Sequence, residues 1–437
     1  MRIIVAGAGI GGLSAAALLG KGAEVTVYER AKSLNDMRYP WHDDVTPSAF
    51  ADAGLELPKD SFIKKDWSFV TPDGKGIRRM HEEESRADYS VWRPALNGKL
   101  VENAERCCSV VFGEQVTALL TSNGTVTGAV VNGREEKADL VIDSTGVDSP
   151  LKRSVKEITR HSSDEIFVVY RAFYEKNFDA PEAEHSNKAY LKHIGENGIA
   201  WAIQDEDKVD VLVGRLGEMS DETLKRALSV LKQENPTIGE KTVMGGGIYR
   251  IPVRYPATRM VLDGYAAIGD AAYMTIPMLG SGIASSMAAA KMLSDVVIKA
   301  LNAGMSASEA ASAENLFEYQ RRFFTEIGAN HCGVDVMKRG VLSFSDDMLG
   351  WLLTSSVLTN DDVCRLAKGN PIYIGPCDAL KKVRAAGIGK IPALLKVNSM
   401  LMRSHRAIRV ARRIPESYSE EAIARWEKKL RRIIAGE

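Results

Sequence analysis

A surplus of charge of either sign is missing from this 437-residue chain, whose 57 basic and 57 acidic residues cancel. With no global field to attract a polyanion, nucleic acid is not an expected partner. Cysteine is scarce, with five residues in all. Cys107 and Cys108 are adjacent, whereas Cys332, Cys364 and Cys377 lie far apart. The odd count and this spacing fit neither a disulfide framework nor a zinc site nor an iron–sulfur centre. No metal is therefore expected, and a reducing cytosol fits best. Long apolar runs are absent too: no uninterrupted stretch reaches the ~18 residues of a membrane-spanning helix. Residues 348–358 form a shorter run broken by serines and a threonine. The chain enters a buried-type strand in its first residues, which leaves no room for a signal peptide. Internal repeats and low-complexity stretches are missing as well. The expectation is a cytoplasmic protein of two or three lobes.

The charge balance is uneven along the chain. Residues 381–437 hold 15 Lys or Arg against 5 Asp or Glu. The plain reading is a solvated helical face; the alternative is a surface for anionic lipid heads or an acidic partner, that is, peripheral contact with a membrane.

What is present first is a dinucleotide pattern. A buried-type strand (2–6) runs into Gly7-Ala8-Gly9-Ile10-Gly11-Gly12, a small-residue helix (13–21), a second strand (24–28) and then Glu29. Gly7 permits the tight turn, Gly9 lets the backbone reach a pyrophosphate, and Gly12 allows close helix and strand packing. The helix N-terminus carries the favourable dipole. Glu29 is placed to accept from an adenosine ribose, and its charge disfavours a 2′-phosphate here.

Residues 31–58 read as an irregular, functional loop with a short helix, rich in polar and aromatic groups at 37–44. Residues 91–106 have helical periodicity, and 110–131 read as two or three short strands turning at Asn123-Gly124. A short apolar strand at 140–143 ends in Ser144-Thr145-Gly146 and looks like a return to the nucleotide sheet. From 165 to about 250 the pattern becomes alternating strands with one helix near 221–233. Residues 265–268 form a buried strand ending at Gly269-Asp270, a helix follows at 282–300, and the chain beyond 312 is mostly helical.

Four segments together resemble the flavoprotein superfamily that includes the aromatic hydroxylases and, more closely, the geranylgeranyl reductases. The first is the glycine turn with Glu29. The second, Arg93-Pro-Ala-Leu96-Asn-Gly-Lys-Leu100, resembles the family's RxxLxxxL helix, whose arginine approaches the flavin's phosphate or ribityl region. The third, Asp143-Ser-Thr-Gly146-Val-Asp-Ser149-Pro-Leu-Lys152, resembles DGxxSxxR but carries Thr145 and Lys152 where that pattern has Asp and Arg. The fourth, Gly269-Asp270-Ala-Ala-Tyr-Met-Thr-Ile-Pro277-Met-Leu-Gly280-Ser-Gly282, matches GDAAxxxxPxxGxG at every defined position. In it Asp270 is suited to ribityl hydroxyls, and the helix opening at Gly282 to the isoalloxazine. The strand Gly198-Ile-Ala-Trp201-Ala-Ile-Gln204 resembles the reductases' cavity-lining strand but lacks its Phe-Pro ending; Trp201 is equally a candidate core aromatic. A tryptophan-halogenase pattern is not met, because Ile199 and Gln204 stand where it has Trp and Pro.

The resemblance implies FAD as cofactor, with Gly7, Gly9, Gly11, Gly12, Glu29, Arg30, Arg93, Gly146, Gly269, Asp270, Pro277, Gly280, Gly282 and Ile283 as its binding residues. It implies an α/β fold in three parts. These are a Rossmann-like FAD-binding βαβ domain (1–160 with 253–335), an inserted antiparallel β-sheet substrate domain (161–252 with part of 59–92) and a helical, basic C-terminal region (336–437).

The implied activity is FAD-dependent oxidoreduction. Its leading form is hydride transfer from reduced flavin to a carbon–carbon double bond of an apolar, lipid- or isoprenoid-like substrate. The alternatives are a flavin-dependent monooxygenase acting with oxygen on a small organic substrate, and a non-catalytic flavoprotein. NADH, NADPH or a separate electron-donor protein are the candidate reductants. Tyr39, His42, Asp43 and Asp44 are acid/base candidates in the loop, with loop-capping or solvent-facing roles as the plainer reading; Cys332 invites a redox reading, though a lone cysteine is usually a small buried hydrophobe, and no catalytic residue is assigned.

Overall fold

A computed structural model describes residues 1–37, 39–64, 66–84, 87–155 and 158–437. Its first strand, Arg2–Ala6, lies parallel between Glu24–Glu29 and Leu140–Asp143, with Ile4 opposite Thr26 and Val141. Ser109–Phe112 and Tyr265–Ala267 extend the sheet in parallel at its two sides, and Val261–Leu262 closes one edge antiparallel. A parallel sheet is buried on both faces, so its central strand has to be apolar throughout. Ile3, Ile4, Val5 and Ala6 are accordingly all buried. The helix on the glycine turn spans Ile10–Leu19, starting earlier than the expected residue 13 because Gly11 and Gly12 sit inside its first turn. Its alanines let Arg93–Glu105 and Ile283–Asn302 pack close against it.

The second large sheet has seven strands. Their order is Ile238–Pro252, Ile166–Lys176, Lys208–Leu216, Gly198–Gln204, Asn187–Leu191, Asp66–Val70 and Ile77–His81. It is antiparallel except where Asn187–Leu191 meets Asp66–Val70. Helix Asp221–Glu234 covers one face, capped by the Ser220 hydroxyl accepting from the Thr223 N–H at 3.1 Å. It buries Ala227 and Leu231 against Val209, Val211 and Val213. The other face turns toward the C-terminal helices.

Within residues 31–58 the expected short helix stands at Ser48–Asp52, but the loop before it is partly a strand. His42–Val45 is a strand, paired with Asp88–Trp92, which in turn pairs with Phe62–Lys64. Two adjacent acids give His42-Asp43-Asp44-Val45 little strand propensity, and partners more than forty residues away impose the conformation. Arg38, within the same loop, lies outside the described residues.

The C-terminal third is helical as expected. Ile391–Ala411 crosses Ala329–Leu342 at two glycines: a Cβ on Gly333 would stand 2.6 Å from Ile408, and one on Gly340 would overlap Met400. Among the described residues, no helix is long and apolar enough to cross a membrane.

Leu231 is the anchor that holds helix Asp221–Glu234 to its sheet. Leu231→Ala is expected to lower unfolding free energy by about 2–5 kcal/mol in denaturant titration. A loss below one-half kilocalorie would show that the helix is not held by this contact.

Candidate active site

The glycine turn sets the geometry. Gly7 has φ 89, and a Cβ there would stand 2.6 Å from the Ser144 carbonyl oxygen. A Cβ on Gly12 would meet the Gly7 carbonyl oxygen at 2.6 Å and the Ser144 side chain at 2.8 Å. The first turn of the helix therefore sits directly on the end of strand Leu140–Asp143, where no side chain fits. Gly9 is crowded by Ser144 and Gly11 by Ile268 in the same way. Glu29 ends the second strand and faces the turn: Oε2 accepts from the Ala8 N–H at 2.8 Å and Oε1 from the Ala31 N–H at 2.9 Å. Arg30 beside it is exposed.

Asp143 organises the third segment. It is fully buried. Oδ1 accepts from the Thr145 N–H and hydroxyl at 3.0 and 2.7 Å, and Oδ2 from the Ser149 and Tyr265 hydroxyls at 2.5 and 2.8 Å. Gly146 follows with φ 94. Lys152 is buried, and its Nζ has no hydrogen-bond partner among the described residues. The ammonium sits 3.9 Å over the Tyr273 ring. Burial pulls its pKa down to about 8, partly opposed by the Asp143 carboxylate.

Asp270 stands in the turn Gly269–Ala272, where its Oδ1 accepts from the Thr275 hydroxyl at 2.7 Å. Burial raises its carboxyl above the ordinary value, opposed by that hydrogen bond and by the charges of Arg93 and Lys152. The second, third and fourth segments thus converge on one carboxylate. Pro277 and Gly280 follow on the turn, and the helix beginning at Ile283, itself buried, has Gly282 at its N-terminus without a side-chain cap. A Cβ on Gly282 would strike the Thr275 hydroxyl at 2.8 Å.

Arg93 opens its helix and reaches back to the loop. Its Nη1 donates to Asp43 Oδ2 at 2.8 Å, and its Nε to Asn97 Oδ1 at 3.3 Å. The Trp41 indole N–H donates to Asp43 Oδ1 at 3.0 Å. Asp43 is thereby engaged as the loop's anchor. Asp44 lies 3.5 Å from the Lys64 ammonium, and its carbonyl accepts from the Ser281 hydroxyl at 3.3 Å. His42 packs on Trp92 and Phe62, and burial lowers its pKa. Tyr39 packs against Trp41 and Tyr249. Cys332 is wholly buried with its thiol pKa pushed well up by desolvation, so it behaves as a small apolar core residue.

A cavity of about 1370 Å³ opens beside the turn at residues 276–281. The seven-stranded sheet supplies Trp67, Phe69, Val169, Ile199, Trp201 and Leu212; the C-terminal helices supply Met337, Val341, Leu352, Met400 and Leu401. Trp201 is thus a wall residue, and the helical tail, which carried no site expectation, forms much of the enclosure. The sequence reading also passed over Arg171. This buried guanidinium donates to both Asp210 oxygens at 3.0 and 2.5 Å and to the His42 carbonyl at 3.1 Å. It lies between the Trp41 and Trp201 rings. Desolvation opposes its charge, but Asp210 outweighs that cost and its pKa ends raised. The signal was available: Arg171 interrupts the apolar run at 166–174, and Asp210 the run at 209–214.

These residues fit a bound flavin dinucleotide. Two helix N-termini without side-chain caps, a glycine cradle that a Cβ would fill, and a buried ammonium with no hydrogen-bond partner among the described residues are the donors and the space such a phosphate-bearing group needs.

Fold and site together define an FAD-dependent oxidoreductase. The chain belongs to the FAD-binding domain family, which matches residues 1–317. It is 26% identical over 385 residues to a digeranylgeranylglycerophospholipid reductase of Methanothrix thermoacetophila, covering 83% of this chain and 93% of that protein. It is 24% identical to digeranylgeranylglycerophospholipid reductase 2 of Methanopyrus kandleri, over 92% of this chain and 99% of the relative. A crystal structure of a geranylgeranyl bacteriochlorophyll reductase-like protein from Thermoplasma acidophilum superposes with a TM-score of 0.72 at 19% identity, covering 84% of this chain and 95% of that one.

Glu29→Gln replaces one of the two oxygens that accept backbone N–H groups with an NH2 that can only donate, and removes the charge. FAD affinity, followed by flavin fluorescence, is expected to fall by about tenfold to a hundredfold; unchanged retention of the yellow cofactor would remove Glu29 from the binding set. His331, buried in the cavity wall, has its pKa lowered by desolvation to about 4. The unfolded chain takes up this proton at higher pH than the folded one, so stability is expected to decline as pH falls from about 6.5 to about 4, by roughly 2–4 kcal/mol from this group. His331→Asn should flatten that limb of the stability–pH curve.

Proposed function

We propose that this oxidoreductase reduces carbon–carbon double bonds of an apolar, isoprenoid-like lipid. The cavity carries the reading. It exceeds the roughly 300–1,000 Å³ of an ordinary small-molecule site, its walls are mainly Leu, Ile, Val, Met and Trp, and it begins at the Ile276–Ser281 turn. The names of the relatives support the same direction. The glycine turns at 7–12 and 280–282 would hold FAD, which would supply hydride when bound and reduced.

The chain's own residues do the rest. The apolar walls draw the substrate chain out of water and hold one segment of it at the turn. Arg171, clamped by Asp210 and stacked between two tryptophans, keeps the loop at 39–45 against the sheet so that the wall is closed there. The carbon next to the hydride acceptor needs a proton. His42 and Asp44 line the cavity near the turn through the Ser281–Asp44 contact, and we assign the proton path to this polar rim. Electrons enter from NADH, NADPH or a donor protein, and the basic C-terminal region keeps the enzyme near its lipid.

Purified yellow enzyme, reduced anaerobically with dithionite and mixed with detergent-dispersed polyprenyl lipids, is expected to yield dihydro products by mass spectrometry. Absence of saturated product across the panel, with hydroxylated product and oxygen consumption in air, would overturn the reading in favour of hydroxylation. Ile199→Trp narrows the cavity away from the glycine turns. It should cost about 1–3 kcal/mol of transition-state binding for long chains, about tenfold or more in kcat/KM, while flavin content stays constant.

A further inference from the structure

The helices Pro376–Ala386 and Ile391–Ala411 meet at Gly387, whose φ of 76 stops the first helix and turns the chain into the short segment Ile388–Lys390. We infer that this elbow docks the enzyme on the surface of a bilayer containing anionic phospholipids.

Leu380, Ile388 and Leu395 are 72%, 88% and 63% exposed, which is far from where aliphatic side chains of this size settle in a water-facing helix pair. Val383 and Ile391 are exposed beside them. The charges around this patch are mostly positive. Residues 377–399 include the exposed Lys381, Arg384, Lys390 and Lys396, with Asp378 as the sole acid, while Lys382 is held by Asp362 at 2.7 Å. Apolar side chains interleaved with lysine and arginine on one helical elbow are what an interfacial element presents: the apolar groups enter the acyl boundary and the cations meet lipid phosphates. The chain before residue 377 is net negative, so an anionic surface attracts the C-terminal end, and the exposed apolar groups of the elbow set which face enters.

The same elbow also borders the cavity. Ala379, Lys382, Val383, Ile391, Leu394 and Leu395 line it. The patch that meets the acyl chains and the wall that receives the substrate are therefore the same two helices, and an apolar molecule passing between them stays out of water. This purpose rests on the lipid-substrate reading above; the docking itself does not.

The test is co-sedimentation of the FAD-loaded full chain with vesicles of equal parts phosphatidylcholine and phosphatidylglycerol, against phosphatidylcholine alone. Binding is expected to the mixed vesicles only and to weaken at high salt. Leu380 and Ile388 do not line the cavity, so Leu380→Ser/Ile388→Ser should abolish sedimentation while turnover of detergent-dispersed substrate stays at the wild-type level. Lys381→Gln/Lys390→Gln should reduce partitioning by about fivefold per residue. Equal binding by wild type and the Leu380/Ile388 variant, or wild type left in the supernatant, would overturn the proposal. So would salt-independent self-association through these residues, which would assign the patch to a second copy of the chain. Vesicle binding without saturation of any prenyl lipid would retain the docking surface and refute the activity; saturation in detergent without vesicle binding would do the reverse.

Discussion

Asp143 accepts four hydrogen bonds in a place where no water reaches it. A carboxylate without those donors would be too costly to bury, so the turn at Thr145, the Ser149 hydroxyl and the Tyr265 strand are all held to it. The consequence is positional. With residues 143–149 wound around this one side chain, Ser144 is presented to Gly7, Gly9 and Gly12, and Lys152 is brought over Tyr273 toward Asp270. Loss of that centre would loosen the floor on which the first helix rests and the arrangement of three of the four cofactor segments.

The cavity depends on a second set of buried charges. Glu165 is held by Arg254 at 2.7 Å and Arg339 at 3.1 Å, and Asp335 by Lys338 at 2.7 Å and Arg339 at 3.1 Å. This network joins the start of strand Ile166–Lys176 to helix Ala329–Leu342, and so ties the C-terminal helices to the sheet they face. Such pairs contribute little net stability over apolar replacements, but breaking one leaves a buried charge unpaired. Their effect is to set how the two walls meet. An apolar space that opens beside the turn at 276–281 and is bordered by an exposed basic elbow follows from that placement.

Much of the nucleotide-binding part was legible in the sequence, because its requirements are local. A backbone that approaches within van der Waals limits needs glycine at Gly7 and Gly12, a parallel strand needs an unbroken apolar run, and both can be seen within thirty residues. The helices at Arg93, Asp221 and Ile283 and the strands at 166 and 209 were legible for the same reason. The strand His42–Val45 was not, since Asp43 and Asp44 speak against it and its partner is residues 88–92. Cys332 looked chemically suggestive in sequence and proved a buried core residue once its surroundings were known. Arg93, read as approaching the cofactor, also binds Asp43, a partner that spacing along the chain could not reveal.

The sequence by itself determined the dinucleotide fold, the acidic residue after the second strand, the four ordered segments that imply a flavin, and the excess of positive charge at the C-terminal end. Each is a property of neighbouring residues or of composition. Only the tertiary structure decided that Arg171 and Asp210 meet, that Trp201 is a wall, and that the helical tail encloses the cavity and carries its apolar elbow at the rim. Those contacts join residues far apart in the chain, and they depend on how whole layers pack, which no local pattern encodes.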